Sequence, residues 1–411
     1  MRIKKKHRPK PWQWRLESLG HSLLEGIVCR LPGSWAFHLG EALGGMAWHV
    51  MTRRRRIVVR NLRIALSREK TLPEIQRIAK QSFCRSGANL ICAAHTAKLS
   101  PDEIRRVVAV ENLHLLEQAQ ARGQGVVLLL AHMGNWELLT KMVHIFPRGS
   151  KCGAFYRPLN NPLLDARILR RRKLDGTRMF SKRDPFHQVT GFLREGGIVG
   201  ILADQRVGRH GELVPFFGRF TRASPLPSLL ARRAKSEVLS LSLETVAPGK
   251  WKAVLQQVTP PLSTAQCMAA LEQAMKCSIV DVFWLQERWK IYMNKRHGIR
   301  KWFDADLDDS KKPCRVLLWL PKAPESWRLP EVWIHPYLRY EAVLADGCNL
   351  PPDLPPIAKV HRVPPQTCGK RLLLEIEMND AHPLDFIISP VGDSALVTAA
   401  SSASIPLVIA P

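Results

Sequence analysis

Short apolar runs alternate with amphipathic segments through the middle of the chain. The run VVLLL at 126–130 follows a glycine and is apolar at every position, which is typical of a strand buried on both faces. The next segment, NWELLTKMVHIF, predicts a helix with Asn135 as its N-cap and Glu137 in the first turn, where the helix dipole favours an acid. Strand and helix continue to alternate in KCGAFYR, NPLLDARILRRRK, GGIVGILAD, SPLPSLLARRAK and SEVLSLSLET. This order predicts an α/β fold, with a mixed, mainly parallel sheet flanked by helices.

The segments on either side of this region follow other patterns. Residues 70–122 carry apolar side chains at three- and four-residue spacing and predict helices throughout. Residues 311–411 hold 15 of the 30 prolines. There, CRVLLWLPK predicts a strand, and LDFIISPVGDSALVTAASSASIPLVIAP predicts a strand, a turn, a helix and a strand. Because the composition changes near 304–313, we expect a domain boundary at that point.

Three polar side chains occur at or just after the ends of predicted strands. These side chains are His132, Arg157 and Asp204. In an open parallel sheet, the loops at the carboxyl ends of the strands form the binding site. We therefore expect the site at this edge of the sheet.

His132 and Glu137 are the candidates for chemistry. Imidazole changes its protonation state near neutral pH, and a carboxylate that accepts its second N–H fixes the tautomer. A strand-to-helix turn can bring residues 132 and 137 together. The chain has no G-x-S-x-G elbow and no second histidine at metal-ligand spacing near His132, so neither a covalent acyl-enzyme nor a zinc site is indicated. The residues alone leave two interpretations open, a dyad that deprotonates a hydroxyl and a structural histidine.

The first sixty residues combine basic runs with a nearly uncharged stretch. Between Arg30 and Arg53 the only charged side chain is Glu41. The stretch falls short of a clean transmembrane span but suits a helix that lies in a membrane interface, where tryptophan rings are common. The tryptophans here are Trp12, Trp14, Trp35 and Trp48. The alternative interpretation is an amphipathic core helix with a solvated basic tail.

The net charge of +27 implies a polyanionic partner, either nucleic acid or an anionic membrane. Residues 311–411 contain 10 basic and 10 acidic side chains, so the whole excess belongs to residues 1–310. No helix-turn-helix, zinc or RNP signature accompanies the charge, and we therefore expect no nucleic acid partner. The nine cysteines are dispersed without a C-x-x-C pair, which favours reduced thiols in a cytoplasmic compartment and does not indicate a zinc site. We expect no metal and no other cofactor.

The stretch LLEQAQARGQGVVLLLAHMGNWELL, 115–139, resembles the lysophospholipid acyltransferase superfamily, and within it the bacterial lipid A biosynthesis late acyltransferases. Their signature is a His, four residues, then Asp or Glu. Further blocks of the chain that are similar to this family, in the family's order, are RNL, YRPLNNPLLDARI, GGIVGILADQRVG, VPFFGRFTRA and FWLQERWK. The block FWLQERWK departs from the family pattern at Gln286 and Glu287, and Leu226 stands where the family has Gly.

The resemblance implies the site and its substrates. His132 and Glu137 would be the catalytic dyad, and Asn135, Arg157, Asp204 and Gln205 would bind substrate. The donor would be an acyl thioester on acyl carrier protein, and the acceptor would be a phosphorylated glycolipid, a lipid A precursor. A different lyso-lipid or glycolipid acceptor and a non-catalytic lipid-binding scaffold remain as alternatives.

Together with the changes in composition along the chain, the resemblance predicts the domain order and the location. Residues 1–60 would be a basic, membrane-associating region, and residues 61–305 would be the acyltransferase domain, with a glycerolipid acyltransferase-like fold. Residues 311–411 would be a small Pro-rich α/β appendage, which faintly resembles the nucleotide-sugar half of heptose-adding glycosyltransferases and which we expect to be degenerate or structural. The protein would lie at the cytoplasmic face of the cell inner membrane.

Overall fold

The computed structural model describes residues 11–66, 69–181, 184–207, 211–289, 314–324, 326–336, 338–364, 369–380, 382–403 and 405–410. Its α-helices are α1 (Pro11–Val28), α2 (Gly33–Val50), α3 (Thr52–Leu66), α4 (Leu72–Thr96), α5 (Pro101–Val107), α6 (His114–Ala121), α7 (Pro162–Lys173), α8 (Phe186–Arg194), α9 (Leu226–Ala234), α10 (Thr264–Cys277), α11 (Gly369–Met378) and α12 (Ser394–Ala403). Its strands are β1 (Val108–Glu111), β2 (Val126–Leu130), β3 (Cys152–Tyr156), β4 (Arg178–Ser181), β5 (Ile198–Leu202), β6 (Glu212–Phe216), β7 (Arg219–Ala223), β8 (Glu237–Ala247), β9 (Lys250–Gln257), β10 (Cys314–Trp319), β11 (Leu338–Ala345), β12 (Ile357–Val363), β13 (Leu384–Ser389) and β14 (Leu407–Ile409).

Seven strands form the first sheet, in the order β1-β9-β8-β2-β5-β3-β4. Every pair in this sheet is parallel except β8 and β9, which are antiparallel. The prediction of an α/β fold with a mixed, mainly parallel sheet is therefore confirmed. The central strand β2 is buried at all five positions, as expected for an apolar run between two parallel neighbours.

Two local predictions differ from the structure. Residues 70–122 form α4, α5 and α6 as expected, but Val108–Glu111 is a strand that pairs with β9. This pairing partner lies far away along the chain, so helical spacing alone could not reveal it. The segment Trp136–His144, predicted as a longer helix, is a 3-10 helix.

The first sheet belongs to a compact unit made of residues 1–50, 80–205 and 224–283, so far as these are described. Helices α1 and α2 are part of this unit. No helix in the described ranges combines the length and the apolar character that crossing a bilayer requires.

The second compact unit comprises the described parts of residues 51–79, 206–223 and 284–411. Its five-stranded sheet is entirely parallel, in the order β12-β11-β10-β13-β14. The antiparallel hairpin of β6 and β7 belongs to the same unit, and Phe220 of this hairpin lies in one hydrophobic core with Val316 and Phe386. Residues before and after position 300 thus build one core.

Buried ion pairs also join the early and late segments of the second unit. Arg63 of α3, with 1% of its side chain exposed, donates to the carboxylate of Glu377 at 3.1 Å. Arg219 of β7 donates to Asp385 of β13 at 2.5 Å. Removing one partner of a buried pair leaves an uncompensated charge, so these contacts fix α3 and the hairpin against the late sheet.

Glu341 of β11 sits in a cationic environment within the late sheet. Its carboxylate accepts hydrogen bonds from Arg315 Nε at 2.6 Å and Arg315 Nη2 at 2.9 Å, and it lies 3.1 Å from His361 Nε2. Burial alone would raise the pKa of Glu341. The hydrogen bonds from His361 and Arg315, with the charges of Arg315 and Arg339, lower this pKa far below its usual range instead.

The predicted domain boundary between residues 60 and 61 falls inside α3. The boundary near 304–313 lies outside the described residues.

Candidate active site

His132 and Asp204 meet because their strands are neighbours in register. In the pairing of β2 with β5, Leu130 lies opposite Leu202, and each polar residue comes two positions later. The Ala203 N–H donates to the Leu130 carbonyl at 2.9 Å, so the pairing continues past the strand ends. His132 Nδ1 is 2.7 Å from Asp204 Oδ1, and 6% of the Asp204 side chain is exposed.

The hydrogen bonds of the ring define its tautomer. Asp204 offers only acceptor oxygens, so Nδ1 carries the proton and donates it. The other ring nitrogen, Nε2, lies 3.2 Å from Gln205 Nε2, an amide nitrogen that can only donate. Nε2 therefore has a lone pair that faces an exposed side chain, which is the arrangement that a general base requires.

Glu137 pairs with Arg172 and not with His132, its expected partner. Its two carboxylate oxygens accept from Arg172 of α7, at 3.0 Å from Nε and 2.5 Å from Nη2. Both nitrogens of His132 are engaged by Asp204 and Gln205, so the structure does not reproduce the predicted pairing of His132 with Glu137. A bidentate guanidinium–carboxylate pair is a strong charge-assisted contact, and it holds Glu137 at α7.

Asn135 occupies the cap position of the 3-10 helix, but its side chain makes no capping hydrogen bond. Instead it is 1% exposed and donates from Nδ2 to the hydroxyl of Thr96 at 3.0 Å. Asn135 therefore links the turn after β2 to the end of α4 through a buried hydrogen bond and does not cap the 3-10 helix. Burial of the amide has overridden its local preference for capping.

Arg157 directly follows β3, which is the neighbour of β5 on the side away from β2. Its side chain is exposed, and no hydrogen bond or ion pair engages its guanidinium in the described part of the chain. His132, Asp204 and Arg157 thus follow three adjacent parallel strands at one edge of the first sheet. This is the position at which open α/β sheets bind ligands.

Comparison with known proteins decides the family. A family model described as bacterial lipid A biosynthesis acyltransferase matches residues 1–291. The chain belongs to this family. It is 26% identical over 275 residues to the lipid A biosynthesis lauroyltransferase of Escherichia coli (strain K12), across 64% of this chain and 88% of the relative. It is 25% identical over 130 residues to the lipid A biosynthesis acyltransferase of Haemophilus influenzae, across 31% of this chain and 40% of the relative.

The family assigns the class of chemistry: the protein is an acyltransferase of lipid A biosynthesis. The site contains titratable groups that suit such a transfer. Within the described ranges, no group of three or more His, Cys, Asp or Glu side chains is placed to hold a metal ion. The matched segment ends before the late parallel sheet, which begins at Cys314.

Two aromatic rings lie beside His132 and were not predicted from the sequence. The Trp136 ring packs edge-on against His132, with centroids 5.4 Å apart, and Phe283 packs against Trp136 at 5.4 Å. Phe283 lies in the block FWLQERWK, and the resemblance of this block to the family was the sequence signal that could have pointed to it. The edge-on contact with Trp136 favours one orientation of the imidazole.

The basic run of α7 is partly used inside the first unit. Arg167 pairs with Glu25 of α1 at 2.7 Å, and Arg171 pairs with the same carboxylate. Since Arg172 binds Glu137, three cations of this run have carboxylate partners. The run therefore joins α7 to α1 and to the 3-10 helix.

The remaining family blocks meet within the second unit. Asn61 of the block RNL donates to the carbonyls of Trp284 at 2.8 Å and Gln286 at 2.6 Å. Thr221 of VPFFGRFTRA donates to the Arg288 carbonyl at 3.0 Å. The contacts at Gln286 and Arg288 use backbone oxygens, so the departure at Gln286 does not disturb its bond to Asn61.

Proposed function

We propose that the protein transfers a fatty acyl chain from an acyl-carrier-protein thioester to a hydroxyl of a lipid A precursor, with His132 as the general base. The observation that carries this proposal is the pair of contacts at the ring. Nδ1–H donates to a buried carboxylate, and Nε2 faces outward with its lone pair. The family supports acyl transfer in lipid A biosynthesis, while the donor and the residue roles are our proposal.

In this mechanism, Nε2 of His132 accepts the proton of the acceptor hydroxyl as the hydroxyl oxygen attacks the thioester carbonyl carbon. The C–S bond then breaks, and the imidazolium returns the proton to the leaving thiolate, so that the carrier departs as a thiol. Asp204 holds the ring in the required tautomer and stabilises the imidazolium. Gln205, which is exposed, leaves Nε2 when the hydroxyl binds.

The cations and amides near the ring have supporting roles. The exposed guanidinium of Arg157 supplies positive charge to the oxyanion of the tetrahedral intermediate. If Arg157 instead binds a substrate phosphate, Arg157→Gln raises KM and leaves kcat unchanged. Glu137, with Arg172, holds the 3-10 helix and α7 beside the site. Asn135 fixes the turn that carries His132.

We propose that the exposed apolar faces of α1 and α2 bind the inner membrane at its cytoplasmic face. On α1, exposed apolar side chains recur at helical spacing at Trp12, Leu16, Leu19, Leu23 and Ile27. On α2, the corresponding set is Trp35, Leu39, Leu43, Met46 and Val50. Apolar stripes with tryptophan, on a chain of net charge +27, suit an anionic membrane interface. A membrane-bound enzyme reaches its lipid acceptor without extracting it from the bilayer.

We propose a structural role for the late parallel sheet. Its buried contacts with α3 and with the hairpin, through Glu377 and Asp385, support the interpretation of residues 311–411 as an appendage built into the protein.

The deciding experiment is acyl transfer in detergent micelles, with acyl-carrier-protein thioesters as donors and an under-acylated glucosamine disaccharide lipid as acceptor. We expect the wild type to add one acyl chain by mass and His132→Ala to lose about a hundredfold or more, the size of a general-base contribution. Transfer only to a different lyso-lipid would overturn the acceptor assignment. If wild type and His132→Ala both bind the lipid and show equal rates of acyl transfer, the non-catalytic scaffold is favoured.

A further inference from the structure

The turn that carries His132 is bound to a second segment of the first unit, residues 281–283. Three contacts join them: the Phe283 N–H donates to the His132 carbonyl at 2.7 Å, the Gly134 N–H donates to the Asp281 carbonyl at 2.9 Å, and Met133 forms an antiparallel bridge with Val282. The backbone on both sides of the imidazole is thus held by the backbone of 281–283. The position of the ring depends on the position of that segment.

The turn itself has little freedom to adjust. Gly134 has a φ of +55°, a conformation that side chains rarely adopt. A Cβ at this position would lie 2.3 Å from the carbonyl oxygen of Leu243 in β8. The turn is therefore pressed against β8 on one side and bonded to residues 281–283 on the other.

Asp281 fixes the second segment. Its side chain is 1% exposed, and its carboxylate accepts four hydrogen bonds, from Asn89 Nδ2 (3.2 Å), the Thr245 hydroxyl (2.6 Å), the Thr245 N–H (2.8 Å) and the Ser278 hydroxyl (2.7 Å). The guanidinium of Arg85 lies 3.7 Å away. This carboxylate therefore connects α4, β8 and the segment after α10.

One face of α4 contacts residues 281 and 282 through polar side chains. Ser82, Arg85 and Asn89 follow one another at spacings of three and four residues, so they share a face of the helix. Ser82 donates to the Val282 carbonyl at 3.1 Å. The Asn89 amide cannot be reversed without loss, because its oxygen accepts from Trp251 Nε1 at 2.9 Å.

We propose that Asp281 is a positioning residue for the acyl transfer, acting through the backbone of residues 281–283 to hold His132. The proposal rests on the proposed role of His132 as general base. Asp281 is too deeply buried to reach a substrate, so its substitution alters the placement of Nε2 and leaves substrate binding unchanged. A displacement of about 1 Å at a reacting group can cost about a hundredfold in rate.

The geometry predicts that even an isosteric change disrupts this site. Each carboxylate oxygen of Asp281 accepts two hydrogen bonds, and one donor at each oxygen is an N–H, from Asn89 or from Thr245. In Asp281→Asn, the new amide NH2 faces one of these N–H groups in either orientation. Two donors then point at each other in a buried place, and the segment has to move.

The test uses the full chain in the micelle assay, with kcat and KM measured separately. We expect Asp281→Asn to lower kcat about 10- to 100-fold with KM for both substrates within twofold of wild type. Thr245→Val, which removes one hydroxyl donor, lowers kcat by a smaller factor. Thr245→Ser, which keeps the hydroxyl, retains the kcat of the wild type. The control is Leu116→Ala in the buried face of α6, which lowers the melting temperature and leaves kcat within twofold.

Several outcomes overturn the proposal. If Asp281→Asn folds and keeps kcat within twofold, or if its loss is confined to KM, Asp281 is not a positioning residue. If that variant does not fold, the Thr245 pair decides: equal kcat for Thr245→Val and Thr245→Ser contradicts the proposal. His132→Ala separates the two hypotheses, since full activity of that variant refutes the general base, whereas its inactivity beside an active Asp281→Asn refutes only the positioning role.

Discussion

Asp204→Asn is the substitution that tests the proposed catalytic arrangement most directly. The side chain keeps its size, but the oxygen that lies 2.7 Å from His132 Nδ1 is replaced by an amide oxygen or an amide NH2. A hydrogen bond to a charged group contributes about 1.5–3 kcal/mol. At 1.36 kcal/mol for each tenfold change in rate, loss of that contribution alone corresponds to about 10- to 160-fold in kcat.

A second effect acts in the same direction. If the amide NH2 faces the ring, Nδ1 becomes the acceptor and the proton moves to Nε2, which can then no longer take a proton from the hydroxyl. The burial of Asp204 keeps water from substituting for the lost acceptor. We therefore expect a loss of about 100-fold or more in kcat.

The assay is the initial rate of acyl transfer in micelles, with saturating donor and acceptor, alongside thermal melting of each variant. Asp102→Asn on α5 is the matched control, because it removes an exposed carboxylate that pairs only with Arg105 among the described residues. Its kcat should equal that of wild type. If Asp204→Asn melts normally and retains more than a third of the wild-type kcat, the carboxylate does not orient the base and the mechanism fails.

Three further results are expected. Glu137→Gln and Arg172→Gln should lower kcat non-additively, because both remove one ion pair; additive losses in a double-mutant cycle would show that each acts alone. Glu341→Gln should flatten the loss of stability on acidification, measured by urea unfolding. The folded-state pKa of Glu341 is depressed, so its contribution is present above the unfolded value of about 4.3 and is lost as pH falls below it. Burial raises the pKa of Cys92 and Cys152 to about 12, so both thiols should resist iodoacetamide at pH 8 in folded protein and react after denaturation, as peptide mass spectrometry would show.

The N-terminal and late regions show how far composition carries. The sequence indicated an interfacial region from tryptophan and basic residues, and the structure adds which side chains of α1 and α2 are exposed. Three of the late strands, β10, β13 and β14, were predicted from their apolar runs and turn residues, whereas β11 and β12 were not predicted. The buried contacts of the late region with Arg63 and Arg219 were not predicted either, because each joins residues more than 150 positions apart.

The sequence by itself determined the alternation of strands and helices, the family, and the position of His132 after an apolar strand. These properties depend on local periodicity and on motifs that lie within a few residues of one another. The sequence also placed His132 and Asp204 at strand ends, but not beside each other.

Only the tertiary structure decided which carboxylate serves the ring. Glu137 is five residues from His132, yet the bond goes to Asp204, 72 residues away, because β2 and β5 are neighbours in register. In the same way, Glu137 is held by Arg172, and the turn that carries His132 is held by residues 281–283. Strand order and register are set by how the whole sheet packs, and a hydrogen bond depends on distances of a few tenths of an ångström that no local pattern encodes.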